Sequence, residues 1–178
     1  MENKEKRINA LVGRILALYR SDDRAKMAQL RRAAQLDHQP SALIAALPVI
    51  GPQLARLTDD ELADFILVAS LFALHPHENG GGNFGNSFRR VDQDSRSGPS
   101  IEKRFQVLLD TDRGGLRRQL HDMVSLTRAR GVSINWFQLL TDVLDWSSPD
   151  REVQFRWAKS FYTGAPNGSQ NKMKEELT

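Results

Sequence analysis

The sequence predicts an all-α fold of two small helical bundles joined by a long Gly/Asn/Ser-rich connection, and three observations predict it. Apolar residues recur at three- and four-residue spacings through most of the chain, the pattern of one buried helix face. No period-two apolar run bounded by turn residues interrupts that pattern, and no repeat of fixed period is visible. Helix-start signals, of which Thr58-Asp59-Asp60-Glu61 is the clearest, stand directly before the apolar stretches.

Ile8, Leu11, Val12, Ile15, Leu16 and Tyr19 form the first stripe and predict a helix from Lys4 to Arg20, ended by Ser21-Asp22. The next helix, Asp22 to Leu36, places Met27, Leu30 and Ala34 on one face, Arg24 and Arg31 in line on its flank, and Arg32 further toward solvent. Pro40 opens a shorter helix through Ala42 to Leu47, punctuated by Pro48 and Gly51-Pro52. The capping box at Thr58 leads into Leu62, Phe65, Ile66, Ala69, Phe72 and Ala73 with apolar neighbours, so this helix should be central to the first bundle; it stops at His75-Pro76. Helices resume at Ser100 to Leu109, Thr111 to Arg130, Ser133 to Trp146 and Ser148 to Tyr162, the last with a cap at Ser148-Pro149-Asp150. The expected organisation is an N-terminal bundle over 1–75, a connection over 76–99 with a short amphipathic piece at Phe84 to Val91, a C-terminal bundle over 100–163, and a disordered tail over 164–178.

At 178 residues and 40% apolar composition the chain can bury a core without staples. Cysteine is absent, which excludes disulfides, thiolate metal sites and cysteine nucleophiles. No stretch approaches the ~20 apolar residues that span a bilayer, so neither membrane insertion nor export is expected, and a cytoplasmic location is. The net charge of +3 is unevenly spread: residues 1–50 and 86–131 each carry +4, residues 51–85 carry −4, and residues 132–178 carry −1. Such a chain can turn one positive face to a polyanion and another face to protein.

Candidate chemistry is thin. Gly80-Gly81-Gly82-Asn83-Phe84-Gly85 contains G-x-G-x-x-G, but it follows a helix, and without the preceding strand it is expected to be a loop rather than a nucleotide cradle. His75, His77 and Glu78, or Asp110 and Asp112, could be imagined around a metal, though a helix cap accounts for the second pair. The enzyme reading worth testing pairs His121-Asp122 with His75 or His77 and with Asp142 or Asp145, as in helical His-Asp metal phosphohydrolases. Asp122, however, falls opposite the stripe Leu116, Leu120, Met123, Thr127 and should face water, so no catalytic residue, metal, cofactor or small-molecule substrate is expected. Trp136, Trp146 and Trp157 sit among apolar neighbours and read as core anchors; Phe84 and Phe88, beside Arg89 and Arg90, are the better base-stacking candidates.

Around Leu116-Arg117-Arg118-Gln119-Leu120 the helical period lines Arg113, Arg117, His121 and Arg128 along one flank, with Arg118 extending it outward. Like charges at this spacing repel by a few tenths of a kcal/mol per pair. A phosphate backbone would offset that repulsion, as would local partners such as Asp110 and Asp122.

The succession Gln29-Leu30-Arg31-Arg32-Ala33, Asn83-Phe84-Gly85-Asn86-Ser87-Phe88, Lys103-Arg104-Phe105-Gln106-Val107-Leu108-Leu109, Leu116-Arg117-Arg118-Gln119-Leu120, Ile134-Asn135-Trp136 and Asp145-Trp146 resembles the CasB small-subunit family of type I-E CRISPR Cascade complexes in order and spacing, from Leu30 to Tyr162. The resemblance implies a two-bundle fold of about nine helices, a second copy alongside in the complex, and contacts with the backbone subunits that hold guide RNA and with the large subunit. It further implies a non-catalytic role, holding the displaced non-target strand of the target DNA so that the R-loop persists. Its motif positions place a basic groove on Arg31, Arg32, Arg104, Arg117 and Arg118; the charge pattern adds Arg89, Arg90, Arg113, Arg128 and Arg130. His77 to Asn83 carries no Lys or Arg, a departure from the family pattern. The rival reading is an all-helical protein–protein adaptor that makes no nucleic-acid contact.

Overall fold

The computed structural model describes residues 2–35, 40–51, 57–78, 80–93 and 100–164, among which there are nine helices and no strand. They are α1 (Glu2–Arg20), α2 (Arg24–Gln35), α3 (Pro40–Ile50), α4 (Asp59–Leu74), α5 (Phe84–Gln93), α6 (Ser100–Asp110), α7 (Arg113–Ala129), α8 (Trp136–Leu144) and α9 (Glu152–Thr163). The all-α expectation holds. Leu36, the part of the connection at 94–99, and the tail after Gly164 lie outside the described residues.

The organising element is α4. Its capping box forms as the sequence signals: Thr58 Oγ1 accepts from the Glu61 N–H at 3.3 Å, and the Glu61 carboxylate accepts from the Thr58 N–H at 3.0 Å. Every residue from Asp64 to Ala73 is buried, and a helix buried on all sides must be surrounded. Helices α1, α2, α3, α7 and α8 pack against it. Helix α5 packs on α6, α7 and α9, and because α8 also touches α1, the buried side chains of all these elements join one continuous core. Trp136, Trp146 and Trp157 are each at most 2% exposed, as expected of core anchors. The ring chain Phe84, Phe88, Phe105 and Phe161 continues from Trp157 with centroid spacings of 4.5 to 6.0 Å.

Several boundaries differ from the sequence reading; α8, for one, begins at Trp136, capped by Asn135, instead of at Ser133. Helix α3 runs through Pro48 to Ile50, because Val49 and Ile50 are buried and Gly51, at φ +84°, returns its N–H to Leu47 O. Helix α9 begins at Glu152 instead of Ser148. Residues 145–150 are held in turns by the buried Trp146, whose indole N–H reaches Thr111 O at 3.0 Å while Gln154 Nε2 donates to Trp146 O at 2.9 Å. Tertiary burial thus overrides the local start signal, and Arg151 enters the helix from the left-handed region at φ 50°.

Candidate nucleic-acid interface

Helix α7 starts where Asp112 caps it, its carboxylate accepting from the Gly115 N–H at 2.9 Å. Leu116, Leu120, Met123, Val124 and Thr127 then face the core, and the arginine flank reaches the neighbouring α4 and, through Arg117, the end of α2. Each member of that flank has a different fate. Arg113 pairs with the buried Asp64 of α4, and Arg117 Nη2 donates to Ala33 O near the end of α2. His121 lies 3.6 Å from Asp122, itself 58% exposed as the angular argument expected. Arg118, Arg128 and Arg130 are exposed.

The Arg117 bond links α7 to the end of α2, the helix that also carries Arg31 and Arg32. Arg31 Nε donates to Ala73 O at 3.1 Å, capping α4. Arg32, Arg104, Arg118 and Arg128 are exposed without a hydrogen bond or ion pair to any described residue. Arg89 and Arg90 lie elsewhere, on α5. Arg89 Nη1 caps α9 through Phe161 O at 2.7 Å, and Arg90 Nη2 reaches Gly81 O at 3.2 Å. Arg104 belongs to α6, which packs on α5 and α7.

Two predicted stacking residues are corrected. Phe84 and Phe88 are 1% and 0% exposed, because the amphipathic face of α5 is spent on packing against α9 and α6, and neither ring can meet a base. Among the described residues the aromatic rings most open to solvent are Phe155, Tyr162 and Tyr19. Helical period alone assigned Tyr19 to the core stripe; its place in the last turn of α1 is what leaves it open.

The remaining polar groups are structural. His75 Nε2 contacts Val132 O at 2.8 Å, and His77 Nε2 accepts the Ile134 N–H at 3.2 Å. Burial lowers both imidazoles below the usual range, so they stay neutral at pH 7 and add nothing to the basic surface. Asp142 is fully buried and takes donors from Trp157, Gln138 and Arg156. Asp145 pairs with Lys4, and among the described residues no group of three His, Asp or Glu side chains could hold a metal ion. The Gly80 N–H bonds Ile134 O at 2.9 Å and Gly85 abuts the backbone of Trp157, so these glycines serve chain packing.

Asp64 gives a pH prediction. Burial pushes its carboxyl up to about 6 from 3.8, against the pull of Arg113. Because the native carboxyl holds its proton more tightly than the unfolded one, this group's stabilisation is present below the unfolded value and lost as pH rises through about 6. Urea unfolding should therefore show a stability loss between about pH 4 and pH 6 that Asp64→Asn diminishes; equal pH slopes in the two proteins would exclude the assignment.

Fold and surface together define a small all-helical protein with several exposed arginines and no described helix long and apolar enough to cross a membrane. A family model described as CRISPR-associated protein Cse2 matches residues 26–162. A CRISPR-associated protein Cse2 of Thermus thermophilus is 36% identical over 154 residues, covering 85% of this chain and 86% of that one. Among solved structures, CasB of M. ruber superposes with a TM-score of 0.72 at 26% identity, covering 88% of this chain and 92% of that one. A chain of a CRISPR RNA-guided surveillance complex in a pre-nicking state gives 0.76 at 25% identity, with coverages of 88% and 92%. The chain belongs to the Cse2, or CasB, family, as the order of its motifs indicated.

Proposed function

We propose that this chain is the non-catalytic small subunit of a type I-E CRISPR RNA-guided surveillance complex, and that its α2–α7 arginine face holds the displaced non-target DNA strand. The observation that carries the reading is the pair Arg32 and Arg118, exposed and unpaired among the described residues, on two helices that the Arg117–Ala33 bond links. Arg31 and Arg117 are anchored on backbone carbonyls, and Arg104, Arg128 and Arg130, also exposed, add positive charge to the same reading. Arg89, Arg90 and Arg113, already bonded within the protein, supply positive potential rather than first contacts.

Exchanging a DNA duplex for a guide heteroduplex is nearly balanced in base-pair energy, so modest contacts to the freed strand decide how long the R-loop lasts. Arginines that neutralise phosphates do this without reading sequence, and their effect falls with salt. Assembly with the backbone and large subunits, guide RNA nearby, and a second copy belong to the same proposal, as does a cytoplasmic location. One observation favours the adaptor reading for another face: Phe155, Tyr162 and Val107 are 69%, 48% and 47% exposed on α9 and α6, which the Tyr162 hydroxyl bridges at 3.1 Å from Gln106 and 3.0 Å from Glu102. That apolar strip is proposed to meet protein.

In complexes reconstituted with guide-loaded partner subunits, Arg32→Glu with Arg118→Glu is expected to leave incorporation intact and shorten R-loop lifetime about tenfold or more at low salt. The salt slope should shrink by about 1.4 for two lost single-strand contacts. An unchanged lifetime overturns the reading, and lost incorporation at equal stability transfers this face to the adaptor.

A further inference from the structure

Between the end of α1 and the flank of α2 lies a groove of about 470 Å³, lined by Leu18, Tyr19, Met27, Ala28 and Pro76 and rimmed by Arg24 and Arg31. Its volume falls in the range of small-ligand clefts. Tyr19 is 39% exposed and is held by an edge-to-face contact with Phe72, centroids 6.2 Å apart at 83°. The mouth is shaped by Asp22 at φ 52°, whose carboxylate takes the Arg24 guanidinium at 2.9 Å. Arg24 is thereby neutralised, which leaves Arg31 as the net cation of the rim. Its Nε is fixed on Ala73 O, and the rest of its guanidinium has no partner among the described residues.

We infer that this groove is a single-nucleotide subsite, taking one unstacked base against Tyr19, Met27 and Pro76 while the adjoining phosphate sits on the free edge of Arg31. The inference rests on the strand-holding reading above and names a binding residue that reading does not contain, Tyr19. Three features favour a nucleotide over a protein side chain: an open aromatic ring, an apolar floor, and an anchored cation beside them, the combination by which single strands are held without sequence preference. Continuity adds to this, since Arg31 of the groove is followed directly by the exposed Arg32.

The test uses the full chain and a fluorescent fifteen-nucleotide thymidine strand, alongside the same strand with abasic sites. Tyr19→Ala, checked by circular dichroism for intact folding, is expected to weaken binding of the base-bearing strand about tenfold. Tyr19→Trp should restore it, and the abasic strand should bind wild type and Tyr19→Ala alike. Wild-type affinity in Tyr19→Ala, or equal wild-type affinity for the two strands, overturns the subsite. So does impaired incorporation into the complex with strand affinity unchanged, because the groove then holds a protein side chain. Failure of the strand-holding reading is distinguishable: it appears in the Arg32/Arg118 R-loop measurement, whereas a wild type that binds neither strand overturns both.

Discussion

Asp142→Ala is expected to destabilise the protein by about 3 to 5 kcal/mol, the range for removing one partner of a buried ion pair. The carboxylate is fully buried. It accepts from Trp157 Nε1 at 2.6 Å, Arg156 Nη2 at 2.7 Å and Gln138 Nε2 at 2.9 Å, and so ties α8 to α9 at the centre of the aromatic cluster. Burial raises its pKa while those three donors pull it down, so ionisation has a cost that the donors offset. Truncation takes away the acceptor and strands the buried Trp157 N–H without its partner. Asp142→Asn should recover part of the loss, because one amide oxygen still accepts although the amide nitrogen meets a donor. The check is urea unfolding of the three proteins at pH 7; a shift below about 1 kcal/mol for Asp142→Ala would show the triad to be incidental.

That triad also shows where reading the sequence stops. Asp142 could be entertained there as a metal ligand, since an acidic residue one turn before a tryptophan gives no sign of its burial. Its partners Arg156 and Trp157 come from a different helix, and pairing between helices depends on packing angles that no local pattern encodes. The same limit hid the partner of Arg113. Local acids are the natural candidates, yet Asp110 pairs with Arg151, and Asp64, far away in the chain, takes Arg113. What was legible is what depends on periodicity and capping: the helices, the burial of the three tryptophans, the box at Thr58 and the outward turn of Asp122.

The arginine set divides along the same line. Period and motif order single out arginines on α2, α5, α6 and α7, but a one-dimensional pattern cannot separate a guanidinium that caps a helix from one that faces solvent. Arg31, Arg89 and Arg117 all spend hydrogen bonds on backbone carbonyls, whereas Arg32 and Arg118, their neighbours in sequence or across the α2–α7 contact, do not. The capping arginines are thus in part structural, and charge reversal there would confound binding with folding. This is why the functional test falls on Arg32 and Arg118. For the aromatics, Phe84 and Phe88 attract attention because basic residues follow them, and the structure assigns the same helix face to the core.

Gly85→Ala is expected to be the most damaging single-methyl change in the described chain, at about 3 kcal/mol or more. A Cβ at this position would lie 2.1 Å from Trp157 O, 2.8 Å from its carbonyl carbon and 3.0 Å from its Cα. All three are backbone atoms of α9, so no side chain can swing aside; α5 and α9 must separate. Separation would pull Asn83 Nδ2 from Ser160 Oγ, now 2.9 Å apart, and open the Phe84–Trp157 contact at 5.1 Å. It would also withdraw Arg89 from the carbonyls that end α9. The matched control is Gly81→Ala, where a Cβ would meet nothing within 4 Å and the expected change is within about 0.5 kcal/mol. Urea midpoints of the two variants separate the explanations. If both fall together, loss of glycine is being felt through the loop as a whole; if Gly85→Ala unfolds at wild-type urea, the α5–α9 approach is not the close backbone contact that places Trp157 against Asp142.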